Sequence, residues 1–425
     1  MPEKIVDLHI HSRYSRACSP DLDLPKIAKA CEQKGIDIVV TGDFTHPAWI
    51  RHIKENLSES AQGVFKLKDD SSVTRFILGT EISCIYKHKG ITRRVHLLIL
   101  APSIEAVEKF NAILESKGVN IRSDGRPIMG LSAKDVLRII LDIDPRFMMI
   151  PAHAWTPWFA VFGSKSGYNS LEECFEELTS HIRAIETGLS SDPTMNHRLS
   201  ALDNITLVSN SDAHSLNNLG REANVLKLSD NFTYNEIIEV IKSGDKKKFL
   251  YTIEFYPEEG KYHYDGHAVC GVCLSPIESK AKKLICPKCK KNVTVGVLHR
   301  VEDLADRKPD FAKASTGKGR KNIKEKFIPH KYIVPLKEII AKVFGVGVSS
   351  KKVVKEYEAI IKKLGNEFSV LLHREIKEIE SAVSDKNIAV AIASMRSGKV
   401  KVKPGYDGVF GSVEVVLPEQ KINKK

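Results

Sequence analysis

Several common features are missing from this sequence of 425 residues, and each absence excludes a class of protein. No apolar run approaches the ~18 residues of a membrane-spanning helix, and the first residues lack the apolar core of a secretory signal. There is no internal repeat and no GxxxxGK(S/T) loop of the kind that cradles nucleotide phosphates. We therefore expect a cytoplasmic protein with no membrane segment and no nucleotide-driven motor.

A disulfide framework is also not expected, because the eight cysteines lie in a long chain without a secretory signal. At roughly 150 residues per domain, the length predicts two or three domains, or one large barrel with appendages. The apolar fraction of 42% and the charged fraction of 28% are ordinary for a globular protein, which excludes general disorder.

The formal charge of +12 is carried by the second part of the chain. Residues 1–260 hold 31 basic and 35 acidic side chains, whereas residues 261–425 hold 34 basic and 18 acidic side chains. Ten of the fifteen histidines lie before position 260. This asymmetry predicts that the first part carries the chemistry and that the second part binds a polyanion, with a solvated lysine-rich surface as the alternative.

Short apolar runs alternate with helical patterns in residues 1–250, which predicts parallel β/α units and a closed or nearly closed barrel. Ser103 and Ser132 stand where helices should begin, and Gly35 and Gly118 stand where helices should end. The predicted strands are Lys4–Leu8, Ile36–Val40, Arg75–Leu78, Arg94–Leu100, Phe147–Ile150, Ile182–Ile185 and Thr206–Val208.

Each predicted strand delivers histidine or a carboxylate at or near its C-terminal end, and in a β/α barrel these ends open on one face. Imidazole and carboxylate together suit transition metals, and the set exceeds what one ion needs. We therefore predict two or three divalent ions, with Zn²⁺, Mn²⁺ or Mg²⁺ as candidates, and leave Glu186 open as a supporting or structural residue. The residues are His9, His11, Asp43, His46, Glu81, His96, His153, Glu186, Asp212 and His214.

The motifs DLHIH, TGD, HAW and SDAH, with Glu81, resemble the PHP (polymerase and histidinol phosphatase) superfamily of metal-dependent phosphoesterases. The resemblance implies a distorted (β/α)7 barrel. It also implies catalytic roles for Asp212, Glu81, His9 and His11, which would hold one ion. Glu81 would bridge to a second ion held by His96 and His153. A third site would include His214, with Asp43 and His46 as candidates to complete it, because Ala17 and Cys18 stand where the family often has another histidine.

A four-cysteine module lies within residues 261–300. The motifs CGVC and CPKC are separated by twelve residues, which is typical of two knuckles closing a tetrahedral zinc site. Four thiolates leave no open position for catalysis, so the predicted zinc is structural. The predicted ligands are Cys270, Cys273, Cys286 and Cys289.

Residues 310–425 are expected to form a basic, mostly helical domain that binds DNA. Lys318, Arg320 and Lys321 are predicted to contact the DNA backbone. Tyr406 lies in the turn PGYDGVFG, where it either stacks on a base or packs within a hairpin.

The order of barrel, zinc module, helical segment and PGYDG tail resembles the endonuclease Q family of DNA-repair enzymes over essentially the whole chain. The resemblance implies that metal-activated water nicks double-stranded DNA on the 5′ side of deaminated bases. Uracil and hypoxanthine are the implied lesions, with xanthine and abasic sites as further candidates. The alternatives are a small-molecule phosphatase acting on a substrate like histidinol phosphate, and a non-catalytic nucleic-acid-binding protein. Sliding-clamp or repair proteins are conceivable partners, although no docking motif is found.

Overall fold

A mixed β-sheet forms the centre of the protein in a computed structural model that describes residues 1–308 and 327–417. The predicted DNA contacts Lys318, Arg320 and Lys321 lie outside the described residues. The first strands are β1 (Glu3–Asp7), β2 (Ile38–Val40), β3 (Leu57–Ala61), β4 (Val64–Leu67), β5 (Arg75–His88), β6 (Ile91–Ala101), β7 (Ile128–Met129), β8 (Met148–Pro151), β9 (Ala184–Glu186) and β10 (Thr206–Val208). The later strands are β11 (Ala223–Lys227), β12 (Phe249–Glu254), β13 (Asp265–His267), β14 (Val272–Leu274), β15 (His330–Tyr332), β16 (Val400–Lys403) and β17 (Ser412–Val415).

Helices cover this sheet, and several begin and end where the sequence predicts. The Ser103 and Ser132 side chains each accept a backbone N–H of the first helical turn, and Gly35 ends its helix with a φ of 91°, so these predicted boundaries are confirmed. The helices are α1 (Leu24–Lys34), α2 (Pro47–Asn56), α3 (Ile104–Ser116), α4 (Ala133–Ile143), α5 (Leu171–Phe175), α6 (Pro193–Asn196), α7 (Tyr234–Ser243), α8 (Pro276–Ala281), α9 (Val297–Leu304), α10 (Leu336–Phe344), α11 (Lys351–Leu364), α12 (Ile376–Ala382) and α13 (Asn387–Arg396). None of the helices in the described part of the chain combines the length and the apolar character that membrane crossing requires.

The predicted parallel arrangement is right for only part of the sheet. Strand β2 is parallel to β1 and to β5, but β1 runs antiparallel to β11, and β6 runs antiparallel to both β5 and β8. The reason is a two-residue turn at Lys89 and Gly90, whose φ angles of 49° and 79° join β5 directly to β6 without a helix. The sheet is therefore mixed, and β5 is far longer than the predicted Arg75–Leu78.

A closed barrel is not observed as a continuous ladder within residues 1–308 and 327–417. Strands β9 and β10 form a separate parallel pair, and single backbone hydrogen bonds connect this pair to its neighbours. Ala154 N–H donates to Glu186 O over 2.9 Å, and His11 N–H donates to Ala213 O over 3.1 Å. The loops that follow the strands therefore converge, although regular pairing is interrupted.

The second part of the chain is joined to this sheet. Strand β15 pairs in parallel with β12, while α10 to α13 pack together beside it. The segment Phe368–Val383 is divided into a short helical turn, Ser369–His373, and α12, because Arg374 leaves the helical conformation and Glu375 caps α12 with a capping box. Within the four-cysteine module, Val272, Leu274, Cys286 and Val293 form a separate apolar cluster, which is too small to fold without further support.

A buried ion pair links α1 to the C-terminal helices. Lys34 Nζ lies 2.9 Å from Glu367 Oε2, and both side chains are less than one-tenth exposed. Glu367 also accepts hydrogen bonds from Leu336 N–H and from the Tyr357 hydroxyl, each over 2.9 Å. Burial disfavours the carboxylate, but Lys34 and these two hydrogen bonds together outweigh burial and lower the pKa of Glu367.

We expect Glu367→Gln to lower the free energy of unfolding by ~3–5 kcal/mol, because it leaves the Lys34 ammonium buried without a counter-charge. Glu108→Gln is the matched control, because its partner Lys54 is half exposed, and we expect a loss below ~1 kcal/mol. Chemical denaturation of the full chain measures both. Equal losses in the two variants would contradict the anchoring role of Glu367.

Candidate metal centre

Two groups of metal-binding atoms meet at one buried carboxylate, Glu81 of β5. In the first group, Asp212 Oδ1 lies 3.5 Å from His9 Nε2 and 3.3 Å from His11 Nε2. Glu81 Oε2 lies 3.4 Å from His11 Nε2 and 3.8 Å from His9 Nε2. The structure thus brings together the four residues that the sequence predicts for the first ion.

The second group lies on the other side of Glu81. Glu81 Oε1 is 2.8 Å from His96 Nδ1 and 3.2 Å from His153 Nε2, and these two ring nitrogens are 3.2 Å apart. One oxygen of Glu81 therefore faces each group. This is the geometry expected of a carboxylate that bridges two ions.

The donor atoms of the first group suit a cation. His9 Nε2, His11 Nε2 and Asp212 Oδ1 are buried and have no hydrogen-bond partner in the described structure. A buried polar atom without a partner costs ~1–3 kcal/mol, so three such atoms facing one point indicate a missing common partner. The mixture of imidazole and carboxylate fits Zn²⁺ or Mn²⁺.

Two further carboxylates orient the histidines of this group. Glu186 Oε1 lies 3.0 Å from His9 Nδ1, and Asp43 Oδ1 lies 3.0 Å from His11 Nδ1. Asp43 is itself fixed by the backbone N–H and the hydroxyl of Ser12, at 2.6 and 2.7 Å. A carboxylate on Nδ1 leaves Nε2 free for a metal and raises its basicity. Asp43 and Glu186 therefore support the ligands from behind.

The remaining candidates for a third site are placed differently. His214 lies beside the first group, with its ring centroid 4.6 Å from that of His11 and Nδ1 2.9 Å from Asp212 O. His46 begins α2, stacks on Tyr14 at 4.3 Å and directs Nε2 to Arg122 O over 3.1 Å. His46 is thus held by its own contacts, while His214 borders the centre.

Three residues of this centre have a positive φ. The φ angles are 45° at Asp43, 29° at His153 and 45° at Asp212. Residues other than glycine rarely adopt such values. Gly188 permits the close approach at His153, because a Cβ there would lie 2.6 Å from His153 Cβ. Such residues cost ~1–3 kcal/mol each and tend to occur where function requires a fixed geometry.

The electrostatics of the centre match metal binding. Burial disfavours charge on Glu81, but His96, Arg126, His9 and His11 together outweigh it and hold the pKa of this carboxyl well below its usual range. Burial lowers the pKa of His96 to about 4 against the attraction of Glu81. Burial also opposes charge on His9, yet Glu186, Asp212 and Glu81 raise its pKa well above the ordinary value. A bound cation would take the place of that proton.

Sequence reasoning misses Arg126, which follows no strand. Its guanidinium donates to Glu81 Oε2 over 2.9 Å, from a loop in which Asp124 Oδ1 accepts Arg126 N–H. Gly125 is required beside it, because a Cβ there would collide with the Asp43 carboxylate. The only signal in the sequence is the polar turn SDGR, which does not indicate a metal centre.

The four-cysteine module contains a further set of atoms that could hold a metal ion. The ligand atoms of His267, Cys270, Cys286 and Cys289 all lie within 4.8 Å of one another. Cys273 is outside this group, and its Sγ faces Pro404 O at 3.9 Å. Sequence reasoning also misses His267, although it precedes Cys270 with the same spacing as the two cysteine pairs.

A cavity of about 620 Å³ borders the metal centre. His153 and Asp212 form part of its wall, and Trp158, Tyr262 and Phe410 supply aromatic surface. The predicted DNA contact Tyr406 is not part of this wall. It is half-buried, and its ring covers Gly266, where a Cβ would collide with it.

The relatives differ in how much of their own length this chain matches. Residues 335–399 match the family model of the MJ0043 C-terminal domain. The uncharacterized protein MJ0043 of Methanocaldococcus jannaschii is 31% identical over 264 residues, which are 61% of this chain and 31% of that protein. The chain thus spans about a third of that relative. The uncharacterized protein YqxK of Bacillus subtilis is 29% identical over 433 residues, 97% of this chain and 100% of that protein.

Solved structures match over the whole chain. The lesion-specific endonuclease PfuEndoQ of Pyrococcus furiosus superposes with a TM-score of 0.83 and 30% identity, covering 100% of this chain and 98% of that one. An endonuclease Q bound to a 27-mer duplex with an abasic lesion at the active site gives a TM-score of 0.84 and 30% identity, with 100% of both chains covered. With the buried histidine and carboxylate donors, matches of this extent define a nuclease of mixed α/β fold. The chain belongs to the endonuclease Q family.

We expect Asp43→Asn to weaken metal binding at the first group by ~10–100-fold, because His11 loses the carboxylate that orients it. Asparagine tolerates a positive φ, so the backbone is retained. Calorimetric titration with Mn²⁺ measures the affinity, because thiolates of the zinc module do not favour this ion. Asp144→Asn, at a partly buried carboxylate that pairs with Arg146 outside both donor groups, is the control. An unchanged Mn²⁺ affinity in Asp43→Asn would contradict the role of Asp43.

Proposed function

We propose that this chain is a DNA-repair endonuclease that hydrolyses the phosphodiester on the 5′ side of deaminated bases in duplex DNA. The proposed lesions are uracil and hypoxanthine, with xanthine and abasic sites as further substrates. The observation that carries the proposal is the position of Glu81 between two donor groups, beside a cavity large enough for a nucleotide. It is supported by the relatives described as lesion-specific and as bound to abasic duplex DNA.

His9, His11, Glu81 and Asp212 would hold one divalent ion, and Glu81, His96 and His153 would hold a second. Ions bound there supply a water of lowered pKa and positive charge for the leaving oxygen. Asp43 and Glu186 keep the Nε2 atoms of His11 and His9 aimed at the centre. Arg126 brings a guanidinium to the same place, and a guanidinium binds phosphate oxygens through a pair of hydrogen bonds.

The cavity offers what recognition of a displaced base requires. Deamination changes base edges that pairing hides, so the base has to leave the stack, and this costs least at a mismatch. Trp158, Tyr262 and Phe410 present ring faces for stacking. Gly188, Leu189 and Ser190 also line the wall. A backbone N–H group there would donate a hydrogen bond to the keto oxygen of uracil or hypoxanthine. Cytosine and adenine present an amino group instead, which would leave this N–H group without an acceptor.

The first test of this function compares duplexes that contain a single uracil, a single hypoxanthine or an abasic site with an undamaged duplex, in Mn²⁺ or Mg²⁺. We expect nicking 5′ of the lesion only. Asp212→Asn should slow cleavage ~100-fold or more, because loss of a direct metal ligand should reduce activity at least as much as loss of a residue that supports a ligand. The affinity for DNA should change little. Asp245→Asn, at an exposed carboxylate, is the control.

Three results would contradict this proposal. Cleavage of undamaged DNA at the same rate would remove the lesion specificity. Hydrolysis of histidinol phosphate without nicking would favour a small-molecule phosphatase. Binding of DNA without cleavage under every metal condition would favour a non-catalytic binding protein.

A second test addresses the cavity. Phe410 is 61% exposed, and Lys261 Nζ lies 4.5 Å from the centre of its ring. We expect Phe410→Ala to weaken binding of the lesion duplex ~5–150-fold, which corresponds to the ~1–3 kcal/mol of stacking on one base. The affinity of Phe410→Ala for undamaged duplex should be unchanged. The control is Val409→Ala, at an exposed neighbour, which should bind both duplexes as the wild-type chain does. Equal weakening for both duplexes would show that Phe410 does not contact the lesion.

A further inference from the structure

The zinc module contains two overlapping pairs that could accompany CPKC. His267 and Cys270 are separated by two residues, and so are Cys270 and Cys273. A tetrahedral site accepts four ligands, and Cys270, Cys286 and Cys289 supply three. The fourth ligand is therefore either His267 or Cys273, which lie on opposite sides of Cys270.

The register of the hairpin separates these two side chains. Strands β13 and β14 are antiparallel, with His267 opposite Val272 and Gly266 opposite Cys273. Side chains of paired residues share a face, and neighbouring residues alternate between faces. His267 therefore shares the face of Val272, and Cys273 lies on the opposite face.

The two faces have different surroundings. Val272 and Leu274 are buried together with Cys286, so their face is turned toward the CPKC knuckle. His267 Nδ1 lies 3.6 Å from Cys289 Sγ on this side. Cys273 is exposed, and its Sγ points to Pro404 O instead.

Residues 404–411 cover the outer face and fix the register. Tyr264 N–H donates to Gly405 O over 2.9 Å, and Ala268 N–H donates to Asp407 Oδ2 over 2.7 Å. The Tyr406 ring occupies the space above Gly266, next to Cys273. Turning Cys273 toward the zinc knuckle would need a one-residue slip of β14, which would expose Val272 and Leu274 and break these contacts.

We propose that the structural zinc is held by His267, Cys270, Cys286 and Cys289, and that Cys273 is a free thiol facing the loop of residues 404–411. The donor set fits zinc, because three thiolates and one imidazole form a closed tetrahedral site. The assignment concerns residues outside the metal centre at Glu81 and does not depend on the proposed function.

The experiment uses the full chain loaded with zinc and measures the zinc content per chain during titration with a chelator. We expect Cys273→Ser to retain zinc against the chelator as wild type does. His267→Ala should lose zinc at a chelator concentration at least ~10-fold lower than the wild-type chain requires. Loss of zinc from Cys273→Ser would overturn the proposal, as would full retention in His267→Ala.

A second measurement remains informative if His267→Ala fails to fold. The native wild-type protein is treated with a thiol-specific reagent, and the modified cysteine is located by peptide mass. We expect Cys273 to react while zinc stays bound and while Cys270, Cys286 and Cys289 are protected. Protection of Cys273 that ends only when zinc is removed would overturn the proposal.

Discussion

Burying the carboxylate of Glu81 inside the sheet is the constraint on which the rest of the centre depends. An ionised carboxylate without partners is very unfavourable in a protein interior, so its surroundings have to supply compensation from several directions. His9 and His11 approach one oxygen, His96 and His153 approach the other, and Arg126 adds a fixed positive charge. Five side chains from distant parts of the chain are therefore held to one point by a single charge.

The long antiparallel pair of β5 and β6 makes this convergence possible. Glu81 lies opposite Leu98 in this pair, and Ser83 lies opposite His96, so the two functional residues come from adjacent strands two residues apart in register. A hairpin fixes such a relationship through its turn, whereas a helical crossover would leave it to tertiary packing. The metal centre is thus built partly on regular ladder geometry and partly on the irregular loops after β1, β8 and β10, where strained residues such as His153 and Asp212 appear.

The sequence predicts the members of the centre better than their arrangement. Histidines and carboxylates that follow apolar runs, such as His9, His153 and Asp212, are visible because a strand end limits where a side chain can point. The antiparallel course of β6 is not visible, because the turn at Lys89 and Gly90 lacks the asparagine or aspartate that usually marks it. Arg126 is missed for a related reason, since it acquires its role from long-range packing. His267 is missed because the overlapping pair Cys270 and Cys273 has the same spacing and offers two thiols. The role of Asp43 as a support for His11 also depends on a contact between residues that are distant in the sequence, so the sequence alone does not predict it.

The cavity lies where the acidic and the basic parts of the chain meet, and this position relates the charge asymmetry to recognition. His153 and Asp212 line it from the first part, and Lys261, Tyr262 and Phe410 line it from the second. Direct bonds hold the two parts together nearby, since Arg300 donates to Phe162 O over 2.9 Å and Ser164 donates to Val295 O over 3.0 Å. A polyanion attracted by the basic part would therefore be brought to the edge of a site whose own carboxylates repel it. Cations held by those carboxylates would remove the repulsion locally, so the acidic side chains would favour a phosphate group through the cations that they hold.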